Sequence, residues 1–156
     1  MRIYVLDAGA IFKRKLVYEN MVTIPEVVRE VIDENSNVYL SVKNLRIESA
    51  SEKSLEFVKK VSKETGDIFK LSETDLKLVA KAVDEKERGN EVVIVTDDYS
   101  IQNIAMALGI DFESIVQEKI KKGFKWVRVC KGCGRKVSKD PCPVCGSETV
   151  LRRVRK

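Results

Sequence analysis

Arg2-Ile3-Tyr4-Val5-Leu6-Asp7-Ala8-Gly9-Ala10 is an apolar run that ends in one carboxylate followed by small residues. It reads as a buried strand that hands the chain to a helix at Asp7, which places that carboxylate at the carboxyl edge of a parallel sheet. Open α/β sheets put their chemistry at this edge. A second run, Val92-Val93-Ile94-Val95-Thr96, stops in the same way at Asp97 and Asp98. Two such strands lying side by side bring their terminal acids together.

Working outward from these strands, helical spacing predicts a helix from Ala10 to about Tyr18. Another opens beside Thr23-Ile24-Pro25, with Val27, Val28, Val31 and Ile32 as its apolar stripe. Further helices are expected over 51–64, carrying Leu55, Phe57, Val58 and Val61, over 72–88, and over 99–108. Val38-Tyr39-Leu40, Leu45-Arg46-Ile47 and residues 111–116 read as extended chain. Strands alternating with helices predict an α/β fold, a mostly parallel sheet flanked by helices.

Composition narrows the chemistry. The 156 residues suit one domain with a small appendage. Histidine is absent, which excludes a Ser-His-Asp or Cys-His nucleophile, a histidine-based ribonuclease and a histidine-liganded catalytic zinc. Carboxylates, lysines and metal remain. The net charge of +5 conceals an asymmetry: residues 119–156 hold thirteen Lys and Arg against Asp140 and Glu148, a net of +11, and residues 1–118 carry −6. A basic tail on an acidic body suggests a module that binds polyanions. No apolar run approaches about 18 residues and no leader opens the chain, so a cytoplasmic protein with no membrane span is expected.

Asp7, Glu30, Asp75 and Asp98, with Asp97 beside the last, each fall at a strand end or on a helix next to one. Acids gathered without lysine partners repel one another unless divalent cations neutralise them, and oxygen-only ligands favour Mg²⁺ or Mn²⁺. Such ions activate water and stabilise the leaving oxygen of a phosphodiester. Each acid also has a plain reading as a helix cap, Asp75 in the Ser72-x-x-Asp75 box and Asp7 and Asp97 or Asp98 at their helix starts. Glu26, one turn before Glu30, competes with it, as Asp97 competes with Asp98.

Cys130-Lys131-Gly132-Cys133-Gly134 and Cys142-Pro143-Val144-Cys145-Gly146 use every cysteine of the chain. Four thiolates in paired Cys-x-x-Cys-Gly knuckles make a closed tetrahedral Zn²⁺ site. Disulfides and a redox Cys-x-x-Cys fit the context less well. Lys125, Arg128, Lys131, Arg135, Lys136, Lys139, Arg152 and Arg153 surround the knuckles and form a candidate RNA-binding surface. Trp126 and Phe124 read as packing residues before base-stacking ones. Lys121-Lys122-Gly123 reads as a hinge, dividing an α/β domain at 1–120 from a zinc ribbon with basic tail at 124–156.

The stretches Leu6-Asp7-Ala8-Gly9, Pro25-Glu26-Val27-Val28-Arg29-Glu30, Ser72-Glu73-Thr74-Asp75-Leu76 and Val95-Thr96-Asp97-Asp98-Tyr99 together resemble the PIN-domain nuclease family. The resemblance implies a PIN-like fold with Asp7, Glu30, Asp75 and Asp98 as ligands of the catalytic metal. The added ribbon, with Lys63-Glu64-Thr65-Gly66-Asp67 and Tyr99-Ser100-Ile101-Gln102-Asn103, is similar to the compact archaeal form of the ribosome-biogenesis nucleases. That likeness implies single-strand cleavage of precursor small-subunit rRNA at its 3′ end within a pre-ribosomal particle. Toxin-type PIN ribonucleases acting on other RNA, and a non-catalytic RNA-binding assembly factor, are the alternatives.

Overall fold

In a computed structural model of the chain, which describes residues 1–13, 18–34, 45–115 and 124–155, five parallel strands form one sheet. They are β1 (Arg2–Leu6), β2 (Met21–Thr23), β3 (Leu45–Ile47), β4 (Glu91–Val95) and β5 (Asp111–Glu113), in the order β3-β2-β1-β4-β5. The connecting helices are α1 (Ala8–Phe12), α2 (Pro25–Glu34), α3 (Glu52–Thr65), α4 (Glu73–Glu87) and α5 (Tyr99–Ala107), with a 3₁₀ turn at Asp67–Phe69 before α4. From β1 the chain winds outward to β2 and β3, then returns to β4 and winds the other way to β5. The reversal lies between β1 and β4, so the crevice at their carboxyl ends is the switch point where this class of sheet binds ligands.

The two apolar runs are neighbours in register, Ile3 opposite Val92 through to Leu6 opposite Val95. Burial explains their composition. Val5, Leu6, Ile94 and Val95 are fully enclosed, and Leu78, Val79, Ala80 and Ala82 of α4 belong to the same core. A strand covered on both faces has no solvent side and so reads as a continuous apolar run.

Several expectations are corrected. The first helix starts at Ala8, because the Asp7 side chain accepts a hydrogen bond from Ala10 N–H and caps it early; it ends at Phe12 rather than near Tyr18. Tyr18 is outside it, stacked on Tyr4 with 3.9 Å between ring centroids and donating its hydroxyl to Glu113 across 3.0 Å. Met21–Thr23, of which the sequence reading names only Thr23 beside the helix start, is β2; the Thr23 hydroxyl donates to the Leu6 carbonyl at 2.8 Å, and α2 begins at Pro25. Phe57 stands 48% exposed on α3, whose buried side is Leu55 and Val58. The extended reading of Val38-Tyr39-Leu40 and the hinge at Lys121-Lys122-Gly123 lie outside the described residues.

Edge strand β3 is tied to α4 by charge. Lys81, buried, pairs with Glu48 at 2.9 Å and Glu85 at 3.3 Å, and Glu85 also meets Arg46 and Arg88. Lys81 holds the Glu48 carboxyl below its usual range. These acids are structural, since each has a cation.

Antiparallel β6 (Phe124–Cys130) and β7 (Thr149–Arg155) form the C-terminal ribbon. Among the described residues no helix is long and apolar enough to cross a membrane.

Candidate metal centres and nucleic-acid interface

The acid site is built from the ends of β1 and β4 and the starts of α4 and α5. Asp7 follows the last residue of β1, and its N–H donates to the Val95 carbonyl of β4 at 3.3 Å. Its Oδ1 accepts from Ala10 N–H at 2.8 Å, and its Oδ2 accepts from the Thr96 hydroxyl. The Thr96 oxygen in turn accepts from Asp98 N–H at 3.0 Å, so one buried hydroxyl joins the two strand-end acids. The sequence places Thr96 at the end of a strand and within the stretch that resembles the PIN family, without a role of its own. Its place directly before the paired aspartates is the signal that marks it.

Asp98 is the N-cap of α5, its Oδ1 accepting from Ser100 and Ile101 N–H at 2.8 and 3.3 Å. Asp75 caps α4 reciprocally with Ser72. The capping readings hold, and the caps set these carboxylates at the starts of α1, α4 and α5. Burial pushes the Asp7 carboxyl up to about 6 against the lowering effect of its hydrogen bonds, with Asp98 and Asp75 adding repulsion. Partial desolvation, with Asp75 nearby, also raises Asp98. These mutual effects bring Asp7, Asp75 and Asp98 into one electrostatic group.

The competitors separate. Asp97 accepts from Ile115 N–H at 2.7 Å and faces Lys13 at 3.9 Å, which makes it a tie between α1 and the segment after β5. Glu26 is engaged by Lys77 at 3.5 Å and Arg29 at 3.8 Å and links α2 to α4. Glu30 is exposed one turn further along α2.

The acid set fits a divalent cation. It offers only oxygen donors, and among the described residues none of Asp7, Asp75 and Asp98 has a cationic partner, unlike Glu48 and Glu85. A Cβ at Gly9 would stand 3.4 Å from Asp7 Oδ1, so the glycine leaves space beside that carboxylate.

In the ribbon, the sulfurs of Cys130, Cys133, Cys142 and Cys145 all lie within 4.8 Å of one another. Among the described residues this is the group close enough to share one ion as it stands. A tetrahedral zinc with bonds of about 2.3 Å needs sulfurs about 3.8 Å apart. The Cys130–Cys145 and Cys133–Cys142 separations of 3.2 and 3.9 Å lie around that value. Gly132 and Cys133 N–H donate to Cys130 Sγ at 3.3 Å. Gly134 and Gly146, at φ of 75° and 74°, turn each knuckle and donate to the carbonyls of Cys130 and Cys142. Hydrogen bonds from Ser147 lower the Cys145 thiol to about 6.

The ribbon is seated on the body. Trp126 Nε1–H donates to the Ser100 hydroxyl at 3.2 Å. Gly66, at φ 81°, lies so close to the Trp126 backbone that an added Cβ would fall 1.8 Å from its carbonyl oxygen. Trp126 is thus half-buried packing, as expected, though against the body. Of the basic residues predicted to face RNA, Arg128 lies over Phe69 and Arg153 over Tyr99 and Trp126. Lys131 faces Glu148 at 3.4 Å, while Arg135, Lys139 and Arg152 are exposed. Lys136 lies in a bridge to Val129, and Lys125 on β6 beside α3 and α5.

Residues 4–84 match the family described as the PIN domain of ribonuclease. The chain is 59% identical to Endoribonuclease Nob1 of Archaeoglobus fulgidus over 99% of this chain and 93% of that protein. It is 38% identical to Endoribonuclease Nob1 of Pyrococcus abyssi over 94% and 91%. Ribonuclease VapC1 of Thermoplasma acidophilum is 34% identical over 94% of this chain and 76% of its own length.

Proposed function

Because the chain belongs to the PIN-domain ribonuclease family and is an RNA-cleaving hydrolase, we propose that it cuts precursor small-subunit rRNA at the mature 3′ end. The cut is made on a single strand, within a pre-ribosomal particle in the cytoplasm. The observation that carries this reading is the likeness to the archaeal Nob1 endoribonucleases along nearly the whole chain, ribbon included. Asp7, Asp75 and Asp98, with Glu30 from α2, hold Mg²⁺ or Mn²⁺. Bound there, such a cation supplies positive charge to the phosphodiester and promotes ionisation of water. The chain's own part is positioning: Thr96 fixes the Asp7 carboxylate, and the caps of α4 and α5 fix Asp75 and Asp98. Cys130, Cys133, Cys142 and Cys145 hold a structural zinc. The basic residues of the ribbon meet phosphates, with the salt dependence that implies.

The likeness to Ribonuclease VapC1 supports a second reading, cleavage of some other RNA. Incubating the protein and Mn²⁺ with a transcript spanning the small-subunit 3′ end, and with unrelated single strands of equal length, separates the two. One cut at the mature end, absent from the unrelated strands and lost in Asp7→Asn, is the expected result. Equal cutting of all the strands favours the second reading.

A further inference from the structure

The ribbon is seated on the two segments that carry the acids. Beside Gly66 at the end of α3, its contacts on the body include Phe69 and Lys70, which lead into α4 and Asp75, and Tyr99 and Ser100, which follow Asp98. Trp126 and Arg153 are cross-strand partners on one face of the ribbon. Lys70 Nζ lies 4.7 Å from the Trp126 ring centroid, and the Arg153 guanidinium lies 5.4 Å from Trp126 and 6.0 Å from Tyr99. Arg128 stands 5.5 Å from Phe69, itself 41% exposed. Cations and rings therefore alternate from the ribbon to the residue next to Asp98.

Resting on the reading of the chain as an RNA endonuclease, we propose that this junction is the track that feeds a single strand to the acids. Tyr99 is the platform for a base beside the scissile phosphate, Lys70 and Arg153 are phosphate contacts, and Trp126 is the hub that orients both cations. Alternating aromatic faces and cations suit single-stranded nucleic acid, whose unpaired bases stack on rings while the backbone follows positive charge. A duplex keeps its base faces to itself. Residues 1–118 carry a net charge of −6, and the ribbon, residues 124–156, carries +8. A ribbon seated against the acid-bearing body brings cations to an edge that otherwise repels phosphate.

Trp126 is the chain's one tryptophan, so its emission reports on the track. A single-stranded RNA is titrated into the Asp7→Asn protein, which holds the strand uncut, while emission and affinity are followed across a salt series. The same titration is run with Tyr99→Ala, Tyr99→Phe and Arg153→Ala added, and with Lys60→Ala on exposed α3 as a charge-matched control. The expected result is a change in Trp126 emission on binding and a loss of about fivefold to a hundredfold for Tyr99→Ala. Tyr99→Phe should bind as its parent. Arg153→Ala should lower the salt slope by about 0.7. Unchanged emission at saturation, with parental affinity for Tyr99→Ala and Arg153→Ala, overturns the track. So does a loss in Tyr99→Phe equal to that in Tyr99→Ala, which places the effect outside ring stacking. If Asp7→Asn itself cleaves at the wild-type rate, it is the nuclease reading that fails, and the binding comparison is still read on its own.

Discussion

The nuclease body is held by an apolar core that runs from Ile3 to Ile110, whereas among the described residues of the ribbon only Cys130 and Cys142 are buried. On the proposed function, metal does different work in the two regions. In the ribbon four sulfurs stand where a core would be, so an ion bound there would be part of the fold. In the body the apolar core carries the fold. There the acids at the sheet edge are the groups that burial and mutual repulsion leave uncomfortable.

The largest effect that breaks this comparison is loss of a ribbon thiolate. Structural zinc contributes about 10–16 kcal/mol to folding in small zinc modules, so Cys130→Ser should melt the ribbon and leave the body folded. Zinc stoichiometry and amide exchange check this, with about one zinc per chain falling to none and protection kept in β1 and β4. Core truncation is the mirror experiment. Ile94→Ala, at a fully buried site, should cost the body about 2–5 kcal/mol while zinc binding persists. Denaturant unfolding with a parallel zinc assay measures both.

A smaller effect concerns the acids alone. The Asp7 carboxyl lies above its usual value in the folded chain, so the fold favours the protonated form. Stability without divalent cation should therefore be fully present below about pH 4 and decline as pH rises towards 6. Asp7→Asn should remove that decline, gaining on the order of 1–3 kcal/mol at pH 7 and little at pH 4. Thermal melts across pH check the sign, and a variant less stable at pH 7 contradicts it. Smallest is the cap: Ser72→Ala, which breaks the reciprocal bonds with Asp75, should cost about 1 kcal/mol.

What could be read from residues alone was local. β1 and β4 announce themselves because strands buried on both faces are continuous apolar runs, and the Cys-x-x-Cys-Gly knuckles carry their geometry in their spacing. β2 was missed because three residues, Met21–Thr23, show no period, and its place is set by the buried Thr23 bond to Leu6. Asp97 and Asp98 are indistinguishable next to Thr96 until Lys13 and Ile115, distant in sequence, claim the first of them. Gly66 is the C-cap of α3. The stronger reason for a glycine there is the backbone of Trp126, sixty residues away, and no local pattern reveals it.

On the proposed function Asp7 belongs to a carboxylate group that would hold the divalent cation needed for RNA cleavage. Titrating Mn²⁺ into wild type and Asp7→Asn, followed by electron paramagnetic resonance, with single-turnover cleavage measured on the same samples, tests this. Wild type should bind Mn²⁺ and cleave, and Asp7→Asn should bind it more weakly and cleave about a hundredfold more slowly or worse, with zinc content unchanged. Equal Mn²⁺ affinity and equal cleavage rates in the two proteins would contradict the claim.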